Sequence, residues 1–475
     1  GSGAVTRVRL ASVVALLLLA GCGRAERPEP LIDLSEGPPN VLFLVLDTYR
    51  RDHLGVYGAT EVETPSLDAF AEEAIVFDDA ASTSTWTLPS MASVYTGREP
   101  QNHTAIGGKR LRVPETMPFM AEILQTRGYE TWALVAVDYL GKGFGMDRGF
   151  QQFRAHVTGP VSTRLRNYQA RVASTLSVPP REPWFGLVHY FDAHDPYRPP
   201  KPFDRMYYEG EPDSIPDDPA RSIDVIYGER NRIAQDPRKR YRWLRRVQDL
   251  MFPVKQYAAG VTYLDDHLGQ VFERLRNNGH FDDSIVVVLA DHGEHLTEHD
   301  VYFTHRLPYT EVLDVPLMIR LPGGQLGGTR VEDPVSLIDV LPTLMELLGE
   351  PLESPVDGVS LVPAMRGADV EERLLFAEYG ANRNAWAKAV WNEQWRYVEM
   401  SLDGVRTAEL FDREADPREE VDLVDERPDV AATLRAALDL HFGPERRVIA
   451  SEDDRPPDAM DPETRERLRA LGYID

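Results

Sequence analysis

The chain has 475 residues, more than one hydrophobic core usually supports, so a large domain with a smaller one beside it is expected. A hydrophobic content of 42% with 27% charged residues excludes a fibrous or wholly disordered polymer. The formal charge of −25 argues against a nucleic-acid binder, which needs a phosphate-neutralising face, and the single cysteine, Cys22, excludes an intrachain disulfide, a thiolate metal cluster and a cysteine nucleophile in the folded body.

Residues 1–21 read as a signal peptide: Arg7 and Arg9 form a positive n-region, and residues 10–20 are an apolar run too short to span a bilayer. Leu19-Ala20-Gly21-Cys22 resembles the lipobox of bacterial lipoproteins. That resemblance implies cleavage before Cys22, lipid on its sulfur, the membrane as a partner, and a place in the bacterial cell envelope on the periplasmic or extracellular face. An ordinary secretory signal is the alternative. The polar, proline-bearing residues 22–39 then read as a tether.

From Asn40 onward the pattern alternates strand and helix. Asn40–Leu46 is a continuous apolar run, as expected of a strand buried on both faces. Thr64-Pro65 opens a helix with Leu67, Phe70, Ala71 and Ala74 on one face. A helix over 117–126 stopped by Gly128, strands over 131–136 and 184–191, and a helix carrying Tyr257, Val261, Leu264, Leu268 and Leu275 up to Gly279 follow. Ser284–Ala290 and 315–321 read as further strands and 338–348 as a helix. Such βα repetition predicts an α/β fold with a mostly parallel sheet between helices, over residues 40–366. The charge-rich stretch 205–250 reads as a solvated excursion, with a basic substrate clamp as the alternative. Shorter aromatic segments (Trp386, Trp391, Trp395, Tyr397) predict a small antiparallel subdomain over 367–448, with a helix near 429–442, before an acidic tail, 449–475, that ends in a helix.

Functional groups of such sheets collect where strands end. Asp47 follows the first strand, Asp291-His292-Gly293-Glu294 follows 284–290, and Asp192-Ala193-His194 follows 184–191. Carboxylates with one or two imidazoles suit a divalent cation: Mg, Mn, Ca or Zn. In Thr85-Trp86-Thr87-Leu88-Pro89-Ser90, Pro89 reads as the first residue of a helix, so Thr87 sits just before a helix N-terminus, where anions bind. A hydroxyl beside a cation loses its proton more readily and becomes a nucleophile; a simple helix cap is the other role for Thr87.

The segments 40–58 (NVLFLVLDTYRRDHLGVYG), Thr64-Pro65-Ser66-Leu67-Asp68, 87–97 (TLPSMASVYTG), Asp291-His292-Gly293-Glu294 and Val315-Pro316-Leu317 occur in the order typical of the sulfatase family of the alkaline phosphatase superfamily, and the chain resembles that family from Asn40 onward. Glu409-Leu410-Phe411-Asp412 and 468–474 (LRALGYI) resemble its smaller domain and tail. The resemblance implies an alkaline-phosphatase/sulfatase-like fold and a hydrolase of ester bonds. It places Asp47, Asp291 and His292 as metal ligands, Thr87 as the nucleophile bridging metal and substrate, His194 against the ester group as a catalytic acid–base and substrate contact, and His305 or Arg306 as a further substrate contact. His103 and Lys142 are weaker candidates.

Two departures stand out. Members that convert Cys or Ser to formylglycine do so in a Cys/Ser-x-Pro-Ser-Arg motif, whereas this chain has Thr87-Leu88-Pro89-Ser90-Met91, which excludes that aldehyde. The paired aspartates after the first strand become Asp47-Thr48. What remains resembles the single-metal site of phosphoethanolamine transferases and lipoteichoic acid synthases. The expectation is therefore a metal-dependent hydrolase or transferase of anionic esters on a glycan, lipid headgroup or small molecule. The ester is phosphate, diester-like, or sulfate cleaved without formylglycine. An inactive binder of anionic glycans or lipids is the remaining alternative. A second zinc site from His189, Asp192, His194 and His305 is a further possibility on sequence grounds.

Overall fold

The computed structural model describes residues 30–106, 112–155, 161–177, 181–228, 231–232, 241–382 and 385–443. The segment 1–21 expected to be a signal peptide, Cys22 and the tail 449–475 lie outside them. Among the described residues no helix is long and apolar enough to cross a membrane.

Eight strands form the main sheet: β1 Asn40–Leu46, β2 Ile75–Ala81, β3 Glu130–Val135, β4 Gln152–Ala155, β5 Trp184–Tyr190, β6 Ser284–Ala290, β7 Leu317–Arg320 and β8 Arg330–Ser336, in the order β4-β3-β5-β1-β6-β7-β2-β8. The apolar run of β1 is buried at every position because β1 lies between β5 and β6, parallel to both. That arrangement sets the carboxyl ends of β5, β1 and β6 side by side. The sheet is mostly parallel, as expected. The exception is β7, which runs antiparallel to both β6 and β2.

Two helices matter most for the site. Met251–Asn277 packs its face of Tyr257, Val261, Leu264, Leu268 and Leu275 into the core, and Gly279 leaves it at φ +77°, a conformation open to glycine. Thr87–Thr96 is buried along its whole length. It follows β2, a strand the sequence reading did not assign. The helix expected from 117 starts only at Met120, with Phe119 extended as its N-cap.

A second sheet, β9 Leu375–Asn382, β10 Ala385–Trp391, β11 Trp395–Leu402 and β12 Val405–Asp412, is antiparallel in the order β12-β11-β10-β9. Its aromatic residues on β10 and β11 are buried; helix Pro428–Phe442 covers Trp395 and Tyr397 through Leu434 and Leu438, while Trp391 packs with Ala81 and Tyr309. This sheet is fastened to the first. Glu378 N–H donates to the Thr83 carbonyl (3.0 Å), and the Ser84 hydroxyl donates to the Glu378 carbonyl (2.8 Å), three residues before Thr87. Arg396, buried in β11, donates to Asp314 Oδ1 (2.6 Å) and Glu419 Oε1 (2.8 Å), while Arg51 donates to the other Asp314 oxygen (3.1 Å). Burial opposes ionisation of Asp314, but Arg396 and Arg51 outweigh it and hold its carboxyl below the usual range.

Removing one partner of a buried ion pair strands the others' charges at a cost of about 3–5 kcal/mol. Arg396→Ala should therefore lower unfolding free energy in a denaturant titration by that order, whereas Arg418→Ala, on an exposed side chain, should stay within about 0.5 kcal/mol. Equal effects would mean that Arg396 does not hold the sheets together.

Candidate active site

Asp47 leaves β1 with its N–H donating to the Tyr190 carbonyl of β5 (3.1 Å). The next residue, Thr48, turns the chain in the left-handed region, φ +56°. Its hydroxyl donates to the Asp47 carbonyl (2.7 Å), so it is aimed at backbone and not at the carboxylates. The Tyr257 hydroxyl clamps this turn, donating to the Thr48 carbonyl (2.6 Å) and accepting from Arg50 N–H (2.9 Å). Asp291, after β6, accepts from His292 N–H (2.9 Å) and Thr48 N–H (3.4 Å) on Oδ1, leaving Oδ2 unspent. A Cβ on Gly293 would collide with the Glu311 carbonyl oxygen, so only glycine fits there.

His292 Nδ1 lies 2.9 Å from the Gly293 carbonyl, which can only accept, so Nδ1 carries the proton and Nε2 keeps its lone pair. Nε2 lies 3.7 Å from Asp47 Oδ1, 3.6 Å from Asp291 Oδ2 and 3.2 Å from Thr87 Oγ1. Thr87 Oγ1 is also 3.5 Å from Asp47 Oδ2. His189, from β5, joins this cage with Nε2 3.5 Å from Asp47 Oδ2 and 4.0 Å from Asp291 Oδ2. Among the described residues, Asp47, His189 and Asp291 are the one group of three such side chains whose ligand atoms all lie within 4.8 Å of one another.

Burial and the Asp291 charge push the Asp47 carboxyl well above its usual range. Burial also works against Asp291, yet His292 and His189 outweigh it and hold Asp291 low. Asp47 Oδ1, Asp291 Oδ2 and both nitrogens of His189 are buried without a hydrogen-bond partner. Crowded like charges with unspent lone pairs fit a divalent cation, which would neutralise the one and occupy the other.

Thr87 is the first residue of its helix, with Trp86 extended as N-cap, so Pro89 is third and not first as expected. Proline fits there because the N–H groups of the first turn have no intrahelical acceptor. Ser90 Oγ donates to the Asp291 carbonyl (2.7 Å), locking this helix to the end of β6.

His194 is buried against Phe191, rings stacked at 4.2 Å, and its Nδ1 lies 2.9 Å from both Asp195 Oδ1 and the Asp195 carbonyl. Burial opposes its charge, but Asp195, Asp47 and Glu294 prevail and raise its pKa to about 9. His194 Nε2 is buried without a hydrogen-bond partner. The His305 ring stands 4.5 Å from that of His292 and 5.5 Å from that of His194, with Nδ1 3.4 Å from Glu294 Oε1. Arg306 is half-buried and makes no ion pair or hydrogen bond among the described residues, so His305 is the one packed against the cage. Asp192 accepts from Gln169 (2.9 Å), and His189 belongs to the Asp47–Asp291 group, so the four residues considered for a second zinc site form no such cluster among the described residues. His103 is a core residue: its Nε2 meets the Ser93 hydroxyl (3.1 Å) and burial lowers its pKa to about 3. Lys142 is exposed on a short turn, Lys142–Phe144.

Arg50 ties the two loops that carry the carboxylates, donating to the Glu294 carbonyl (3.1 Å) and Glu298 Oε1 (2.8 Å). Burial disfavours the Glu298 charge, but Arg50 overrides it and lowers the pKa from 4.5 to about 2. A depressed carboxyl stabilises the fold fully above its unfolded value and loses that contribution as pH falls toward about 2. Thermal midpoints measured down through this window should fall less steeply for Glu298→Gln than for the parent; parallel slopes would refute the coupling.

The family profile described as Sulfatase matches residues 39–350, and that of the N-sulphoglucosamine sulphohydrolase C-terminal region matches 297–441. Choline-sulfatase of Rhizobium meliloti is 27% identical over 462 residues, 86% of this chain and 87% of that protein. Delta 4,5-hexuronate-2-O-sulfatase of Bacteroides thetaiotaomicron is 22% identical over 497 residues, 96% of each. Among solved structures, the phosphonate monoester hydrolase of Agrobacterium radiobacter shares the fold at a TM-score of 0.66 and 20% identity, over 86% of this chain and 96% of that one. With the profile covering most of the chain and the strand-end cage in place, the chain belongs to the sulfatase family and is an ester-hydrolysing enzyme of the alkaline phosphatase superfamily.

Proposed function

We propose that the chain is a metal-dependent phosphoesterase acting on diester-like substrates, with unmodified Thr87 as its nucleophile. The observation that carries this reading is the position of Thr87 Oγ1, buried at a helix N-terminus, 3.2 Å from His292 Nε2 and 3.5 Å from Asp47 Oδ2. Asp47, Asp291, His292 and Thr87 would hold the cation, which when bound neutralises the carboxylates and lowers the hydroxyl pKa so that the proton is lost to solvent. Thr87 Oγ then bonds to phosphorus as the bond to the leaving oxygen breaks, and His194 gives its Nε2 proton to that oxygen. His194, now neutral, takes a proton from water or an acceptor alcohol, whose oxygen displaces Thr87 from phosphorus. His305 faces the same space and contacts the ester oxygens.

Formylglycine sulfatases release their product through an aldehyde hydrate. A threonyl intermediate has no such route and must be displaced, chemistry better matched to phosphorus than to a formylglycine-type sulfate cycle. Relatives named as glycan sulfatases support an anionic glycan or other anionic ester as substrate. Paired p-nitrophenyl phosphate diester, phosphate monoester and sulfate should be turned over in the order diester first, and Thr87→Ala should reduce the diester rate by on the order of 10³-fold or more while Thr87→Ser retains part of it. Sulfate turnover without phosphoester turnover would reverse the bond assignment, and no turnover in a metal-supplied, folded sample would favour a binding role.

Cys22, outside the described residues, would anchor the enzyme in a bacterial envelope membrane. Expressed from its full leader in a bacterium, the protein should partition with membranes and Cys22→Ala should release it; identical partitioning would rule out the anchor.

A further inference from the structure

Strand β5 ends beside the carboxylates with a histidine enclosed on every side. His189 pairs with Val45 of β1, its side chain has no exposure, and neither ring nitrogen has a hydrogen-bond partner. An imidazole so placed is worse than an aliphatic side chain of the kind filling the rest of that strand, because its buried polar atoms go unsatisfied. Packing therefore does not account for it. What surrounds Nε2 does: Asp47 Oδ2 at 3.5 Å and Asp291 Oδ2 at 4.0 Å, each carboxylate keeping one oxygen without a hydrogen-bond partner. Two ligands about 2.1 Å from one ion at a tetrahedral angle stand about 3.4 Å apart. The separations of 3.5 Å here, and of 3.6 Å between His292 Nε2 and Asp291 Oδ2, are close to that spacing. Thr48, the residue after Asp47, spends its hydroxyl on backbone and adds no oxygen to the set.

We infer that His189 is a ligand of the cation held by Asp47 and Asp291, and that its nitrogen makes the site select a borderline ion of the zinc class over calcium or magnesium. Calcium collects six to eight oxygens and magnesium favours octahedral oxygen with retained water. Imidazole nitrogen with carboxylate oxygen in a tight cage suits zinc and its neighbours. The inference rests on the reading of this site as cation-dependent, but it concerns binding alone and not the reaction or the substrate.

The test is metal binding by the full chain without substrate, stripped by chelator and checked for folding by circular dichroism. Wild-type protein should bind one Zn²⁺ per chain, at least about 100-fold more tightly than Ca²⁺. His189→Asp should weaken Zn²⁺ by about tenfold or more and strengthen Ca²⁺. Zinc-edge X-ray absorption provides a second readout, since His189→Asp and His189→Asn should each lose one imidazole from the outer-shell scattering. Calcium binding as tight as zinc in the wild type, or unchanged affinities and scattering in both folded variants, would overturn the proposal. Assaying the same zinc-loaded wild-type sample against the p-nitrophenyl esters separates the two readings: zinc selectivity with no ester turnover leaves this inference standing and removes the other, whereas ester turnover without zinc selectivity does the reverse.

Discussion

Two aspartates buried side by side at the ends of adjacent parallel strands are the constraint from which the rest of this molecule follows. Two like charges 4 Å apart at an effective dielectric of about 20 repel by about 4 kcal/mol, and burial adds to that cost. Asp47 and Asp291 cannot avoid each other, because β1 and β6 are hydrogen-bonded neighbours with matched ends. The chain retains the conflict and builds around it: a left-handed residue at Thr48, a glycine at Gly293 where no Cβ fits, and the Tyr257 hydroxyl closing the turn after Asp47. Local strain concentrated in one place, at groups whose charges need an external partner, is the mark of a binding centre and not of a core.

The second sheet extends that logic beyond the strand ends. It adds a bridge to the segment leading into Thr87 and, through Arg396 and Asp314, a connection to Arg51 in the loop after Asp47. Both attachments fall within four residues of the site, one on the Thr83 carbonyl and the Ser84 hydroxyl, the other on the Arg51 side chain. The small sheet therefore holds the position of Thr87 relative to Asp47, which the large sheet alone does not determine, since the helix of Thr87 reaches the rim from β2 at the far side of β7. A hydroxyl that must stand within a few tenths of an ångström of its partners needs support from both sides.

Legibility in the sequence follows from how each residue is buried. β1 and β6 were readable because strands covered on both faces are unbroken apolar runs, and the helix 251–277 because its buried face keeps a 3.6-residue period. β8, Arg330–Ser336, was not readable: it is an edge strand with exposed positions and a proline, and alternation there resembles a loop. The antiparallel direction of β7 leaves no trace in composition. The two-residue misplacement of the helix start arose because proline suits any position of a first turn, so Pro89 marked the turn but not its beginning. Asp47, Thr87, Asp291 and His292 were legible as strand-end or turn residues. His189 was overlooked as a member of this cage because it sits inside the apolar run of β5, where only the register with β1 reveals its neighbours. Spacing left His305 and Arg306 equivalent; packing separates them, since the imidazole lies 4.5 Å from the His292 ring while Arg306 is half-buried and makes no ion pair or hydrogen bond among the described residues.

His194 gives the proposed chemistry its direction. Asp195 holds Nδ1 from two sides and Phe191 covers the ring, so the one free position is Nε2, and a pKa of about 9 keeps that position protonated at neutral pH. A residue protonated at the start can give a proton to a leaving oxygen, but it cannot first deprotonate Thr87. That order of events requires the nucleophile to be ionised by other means, and under the proposed chemistry the carboxylate–imidazole cage beside Thr87 would do so once a cation occupies it. The acid and the cage would thus be complementary halves: without a cation the His194 proton has no ionised nucleophile to serve, and without that proton the ionised Thr87 faces a leaving oxygen that departs unprotonated.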